Sequence, residues 1–118
     1  MSPRFSTSIL DRALEAQQKK REAERLEQLE RAKAALEKLS KEVEFKEAYI
    51  FGSVTQPRRF LKNSDIDIGF IGLKDRHFFR AMAILSGVLG REVDVIQLEG
   101  HRMEARVKKE GILWKKNG

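Results

Sequence analysis

Tyr49-Ile50-Phe51-Gly52-Ser53, then eleven residues, then Asp65-Ile66-Asp67-Ile68-Gly69-Phe70 is the stretch whose reading decides the fold. Ala48 to Phe51 reads as a short apolar strand that stops at Gly52-Ser53. Ile66 to Ile71 reads as a second strand, β-branched and aromatic, bounded by Asn63-Ser64 and Gly72. Strand side chains alternate, so Asp65 and Asp67 share one face while Ile66 and Ile68 anchor the other. Two residues along a strand span roughly 6.5–7 Å, close enough for two carboxylates to serve one or two cations. Acids in an apolar strand pay a desolvation cost unless a counter-charge offsets it, so a metal is the first hypothesis and a solvated strand face the second.

Two other segments strengthen the metal reading. Gly52 lacks a Cβ and lets a phosphate approach the backbone, and Ser53 offers a hydroxyl. Arg91-Glu92-Val93-Asp94-Val95-Ile96 is a third strand-like run whose alternation isolates one acid, Asp94, to join Asp65 and Asp67. An EF-hand also begins Asp-x-Asp, but its fifth and twelfth positions would be Gly69 and Arg76, which lack the oxygens such a loop needs.

Phe51-Gly52-Ser53, Asp65-Ile66-Asp67-Ile68 and Val93-Asp94-Val95, taken in that order, resemble the nucleotidyltransferase superfamily of DNA polymerase β. More narrowly they resemble its minimal nucleotidyltransferases (MNT), the antitoxin partners of HEPN toxins. The resemblance spans roughly residues 30–114, including Lys109-Glu110-Gly111-Ile112-Leu113-Trp114. It implies Asp65, Asp67 and Asp94 as catalytic metal ligands for two Mg²⁺ ions, or Mn²⁺. It also implies ATP as substrate, and Gly52, Ser53, Ser64 and Arg58 as nucleotide-binding residues. The implied activity is transfer of AMP to a tyrosine of a HEPN ribonuclease. Two features depart from the family: the Gly-Ser to Asp-x-Asp spacing is one residue longer than in most members, and Thr55-Gln56-Pro57-Arg58 stands where Ala-Arg-Gly commonly follows. The contrasting functions are an antitoxin or RNA adaptor that works by binding alone, and nucleotidyl transfer to a small molecule with help from a partner subunit.

Composition narrows the field. A chain of 118 residues supports one modest core. With no cysteine, disulfides, thiolate zinc sites and cysteine nucleophiles are excluded. His77 and His101 lack metal-ligand spacing. Neither a signal peptide nor a stretch of membrane-spanning length is visible, so a soluble, cytoplasmic protein is expected. No Walker A or Gly-x-Ser-x-Gly element occurs. The net charge is +6, yet residues 1–44 hold ten Lys/Arg and nine Asp/Glu. The excess therefore lies around the acidic segment, which suits an anionic partner, nucleotide or nucleic acid.

The expected fold is α+β: a small mixed sheet with helices on one face, preceded by a long charged N-terminal helix. Residues 1–28 read as a helical arm and 29–118 as the nucleotidyltransferase domain. From Ser6 to Glu42 no Gly or Pro interrupts a helix-forming composition, with Ser6 or Ser8 as cap. Leu29, Ala32, Leu36, Leu39 and Val43 form its packing stripe. Glu15 to Arg25 is polar and projects or bridges. Phe5, Ile9, Leu10 and Leu14 make a separate apolar face, expected to dock a second copy or a helical toxin, or else to fold back as a hairpin. Asp75 is the expected cap of a helix ending at Gly90, with Phe78, Phe79, Met82, Leu85, Val88 and Leu89 buried. A short basic helix, His101 to Glu110, follows the third strand. Trp114 docks the tail, and Lys115 to Gly118 fray.

Overall fold

The computed structural model describes residues 3–116, with side chains from Ser8 onward. The apolar run ahead of Gly52 forms β1 (Glu47–Phe51), and the Asp-x-Asp segment forms β2 (Ile66–Ile71). They pair antiparallel, Ile50 opposite Ile68 and Phe51 opposite Asp67. β3 (Val93–Gln97) runs parallel to β2 and sets Asp94 beside Asp67. A parallel neighbour requires a crossover, which α2 (Phe78–Leu89) supplies. β4 (Ile112–Lys115) completes the order β3-β2-β1-β4 by pairing antiparallel with β1. This last strand corrects the expectation of a fraying tail at Lys115. Four residues flanked by lysines carry little strand signal of their own, and the free edge of β1 makes them a strand. The end at Asn117 and Gly118 lies outside the described residues.

One face of the sheet is the main core. Ala48 and Ile50 of β1, Ile66, Ile68 and Phe70 of β2, and Val93 and Val95 of β3 point into it. They meet α1 (Pro3–Ser40) through Leu29, Ala32, Leu36 and Leu39, and α2 through Ala81, Leu85 and Leu89. The expected stripe is therefore the one that packs. Phe45 and Trp114 close the core, their ring centroids 5.5 Å apart. Two expectations fail here. Phe79 is 78% exposed, because α2 buries positions 81, 85 and 89 and residue 79 falls well to one side of that line. Asp75 opens a short 3₁₀ turn (Asp75–His77) instead of capping α2, which starts after His77; its carboxylate accepts a hydrogen bond from Gln97 Nε2 (2.7 Å). Gly90, at φ 61°, ends α2 as expected.

The other face is partly covered by α3 (Glu104–Glu110), whose Val107 packs with Tyr49 and Leu98. Leu98 lies directly over Gly69, where a Cβ would come within 2.7 Å of it. A side chain at 69 would lift the 98–103 segment off the sheet. This face stays open at the β4 edge, where Leu113 is exposed, and at the end where the acids stand.

α1 begins at Pro3, so the expected start at Ser6 or Ser8 falls inside the helix. It is unbroken through Ser40, and the hairpin alternative is not adopted. From Ser8 to Glu24 every residue except the half-buried Glu22 is exposed, including Ile9, Leu10 and Leu14; the Phe5 side chain lies outside the described residues. The arm gives the molecule its 66 Å long axis.

Candidate functional site

The site is built where β1 ends against β2. Gly52, at φ 80°, turns the chain out of the sheet into a single 3₁₀ turn, Gly52–Thr55. A Cβ there would sit 2.1 Å from Asp67 Oδ2, so the Asp67 carboxylate rests directly on the glycine. Sequence reasoning assigns that gap to an approaching phosphate; the structure shows that an acid from β2 already uses it. Thr55 Oγ1 donates to the Gly52 carbonyl (2.7 Å) and Gln56 N–H to the Ser53 carbonyl (3.0 Å), which fixes the turn.

Asp67 and Asp94 are side-by-side partners on parallel strands, and Asp65 lies on the same face just before β2. Burial, then the charge of Asp94, then that of Asp65, push the Asp67 carboxyl up to about 6. None of those influences is a cation, so Asp67 sits beside two further acids with no positive charge holding its carboxyl down, whereas Asp65 lies within electrostatic reach of Arg91. Among the described residues, no three His, Cys, Asp or Glu side chains converge closely enough to enclose a metal ion by themselves. That is compatible with Mg²⁺, which takes one or two carboxylates and completes its shell with water and phosphate oxygens. The hard-oxygen donors and the unbalanced charge at Asp67 fit such an ion.

The remaining expected residues divide. Ser53 sits in the turn beside Asp67. Ser64 is occupied locally, its hydroxyl accepting the Leu61 N–H (2.9 Å) to close the turn before β2. Arg58 is not brought to the acids. It follows Pro57 in a tight turn closed by Arg59 N–H to the Gln56 carbonyl, at φ 70°. Its side chain lines a cleft of about 440 Å³ between this turn and the Glu15–Arg25 part of α1. A second cavity, of about 200 Å³, lies at Asp67, with Gly52, Gln56 and Arg106 also in its walls; Asp65 and Asp94 do not line it.

Two arginines that the motif reading passes over hold the site together. Arg25 is the one buried charged residue among those described. Its Nη1 donates to the Val54 carbonyl (3.0 Å) and its Nη2 to Glu22 (2.9 Å), tying α1 to the Gly-Ser turn. The Glu22 hydrogen bond raises the Arg25 pKa, and the same bond lowers that of Glu22. Arg25 lies four residues before Leu29, one turn up the stripe, and that periodicity marks it. Arg91 donates to the Ser64 carbonyl (2.7 Å) and stacks over Phe60 at 4.6 Å. It pins the loop entering β2, and no local pattern announces it.

Comparison with known proteins agrees with this geometry. The family profile described as "Polymerase beta, Nucleotidyltransferase" matches residues 17–117. A crystal structure of a nucleotidyltransferase from Sulfolobus solfataricus, itself assigned by inference, is 34% identical over 78% of this chain and 84% of its own, with a TM-score of 0.51. A minimal nucleotidyltransferase structure is 27% identical over 70% and 87%, with a TM-score of 0.54. The fold is shared with a toxin–antitoxin crystal structure containing AMP-PNP, 24% identical over 72% of this chain and 74% of that one, TM-score 0.60. No curated protein matches the sequence. The profile covers most of the chain, including α1 from residue 17 and every strand: the chain belongs to the polymerase beta nucleotidyltransferase family.

Proposed function

We propose that this protein is a metal-dependent nucleotidyltransferase of the MNT antitoxin type, which transfers AMP from ATP to a tyrosine of a helical HEPN-type toxin. The observation that carries the reading is the pairing of Asp67 with Asp94 in register, with Asp67 lying against Gly52. An acidic strand end and a tight glycine turn thus meet at one point. The AMP-PNP in a related toxin–antitoxin structure supports the choice of nucleotide and of partner.

Asp65, Asp67 and Asp94 would hold one or two Mg²⁺ ions. Bound there, the metal screens phosphate charge and stabilises the attacking and leaving oxygens. The Gly52 turn, held by Thr55 and by Arg25 through Val54, orients the triphosphate, and Ser53 donates to its terminal oxygens. The tyrosine oxygen bonds to the α-phosphorus while the bond to pyrophosphate breaks. Asp94, exposed at the sheet edge, would accept the phenolic proton. A phenol of pKa about 10 needs that assistance near neutrality.

A second reading, an antitoxin that acts by binding alone, is favoured by the exposed Ile9, Leu10 and Leu14. One experiment separates the two: incubate the protein with Mg²⁺, ATP labelled at the α-phosphate and a helical HEPN-type toxin. Covalent AMP on a tyrosine, absent with Asp67→Asn, is expected. A tight complex carrying no label would establish the binding-only reading instead.

A further inference from the structure

The geometry points to Arg106 of α3 as the residue that grips the nucleotide's phosphates, with Glu110 holding its place until they arrive. This inference rests on the functional reading above. Arg106 and Glu110 line the same cavity of about 200 Å³ as Gly52 and Asp67. Among the described residues that line it, Arg106 is the one cation. The turn residues on the opposite wall, Thr55 and Gln56, are neutral, and Arg58 faces a different cleft. A polyanion entering this cavity beside Asp67 therefore meets one lining charge of favourable sign, and it comes from α3.

Arg106 is available for that task. Its Nε donates to Glu110 (3.0 Å), and the two side chains are 71% and 59% exposed. An ion pair so open to solvent contributes little to stability, so exchanging its acceptor is easy. A guanidinium presents the same planar fork to a carboxylate as to a phosphate. Glu110 thus occupies the position of a phosphate group and keeps the fork directed along α3 near the cavity. Val107, between them, is buried against Tyr49 and fixes the helix, so the exchange needs only side-chain motion.

The test is a calorimetric titration with MgATP and with AMP, using the full-length wild type, Arg106→Ala, Arg106→Lys, Glu110→Gln and Asp67→Asn. Arg106→Ala should weaken MgATP binding about ten- to hundred-fold, as for loss of charge-assisted hydrogen bonds. It should change AMP binding far less and leave the melting temperature unaltered. Arg106→Lys, which keeps the charge and loses the fork, should fall between. Glu110→Gln should bind MgATP as tightly as wild type or several-fold tighter. Wild-type affinity in Arg106→Ala, while Asp67→Asn loses binding, would overturn the inference and leave the functional reading standing. Equal loss of AMP and ATP affinity would also overturn it, showing Arg106 to be structural. A wild type whose nucleotide binding does not depend on Asp67 would overturn both.

Discussion

Asp67→Asn should make the metal-free protein more stable, although the residue is central to the proposed activity. The carboxyl is raised from 3.8 to about 6, through burial first and then through Asp94 and Asp65. At 1.36 kcal/mol per unit this corresponds to a penalty of about 3 kcal/mol on the ionised form in the folded state. The group is only half-buried, so solvent screening reduces the measurable effect to about 1–2 kcal/mol. The sign follows from linkage. The folded-state value lies above the unfolded one, so the penalty is complete above pH 6 and disappears as pH falls from 6 towards 3.8. Asparagine is nearly isosteric and cannot ionise. Urea unfolding in EDTA should therefore show the variant about 1–2 kcal/mol more stable than wild type at pH 7.5, with the difference roughly halved at about pH 4.5 and largely gone by about pH 3.5. A variant that is less stable at pH 7.5, or whose advantage does not depend on pH, would refute the electrostatic account of the site.

Gly52→Ala meets two obstacles, a φ of 80° and the Asp67 oxygen 2.1 Å from the new Cβ. It should cost about 1–3 kcal/mol and lose nucleotide affinity, read by urea unfolding and titration. Arg25→Leu leaves the Val54 carbonyl and Glu22 without their partner; about 1–3 kcal/mol of stability should be lost, together with nucleotide affinity, because the Gly-Ser turn is released. Leu36→Ala, in the fully buried stripe, should cost about 2–5 kcal/mol. Removing residues 1–14 should change the unfolding free energy by less than about 0.5 kcal/mol, since Ile9, Leu10 and Leu14 are exposed; a large loss would show that the arm belongs to the core.

The parts of this protein that were legible in its sequence are those where local pattern and tertiary use coincide. The alternation in Ile66-Asp67-Ile68 survives as two faces of β2, isoleucines in the core and acid outside. The stripe from Leu29 to Leu39 packs because α1 is long enough to have no other option. Legibility ends where a residue's role is set by something distant in the chain. Lys115 is a strand residue because β1 has a free edge, and Phe79 is exposed because α2 is anchored by Ala81, Leu85 and Leu89. Arg58 is drawn off by the Pro57 turn towards the base of the arm, and Arg106 shares a cavity with Asp67 only because α3 lies against β1. The Gly52 gap was legible as a need for space; that Asp67 fills it was not, since the two residues are fifteen apart and meet only through strand pairing.

The central claim is that Asp65, Asp67 and Asp94 form a cation-dependent nucleotide site, and thermal unfolding with ATP, with and without Mg²⁺, tests it most directly. A ligand that binds only the folded state raises its stability by mass action, about 2.7 kcal/mol at a hundred times the dissociation constant. The wild type should gain on addition of ATP and Mg²⁺ together and hardly at all with ATP alone, while Asp67→Asn, though more stable without metal, should gain nothing from either. An equal gain in wild type and Asp67→Asn, or a full gain from ATP in EDTA, would contradict the assignment.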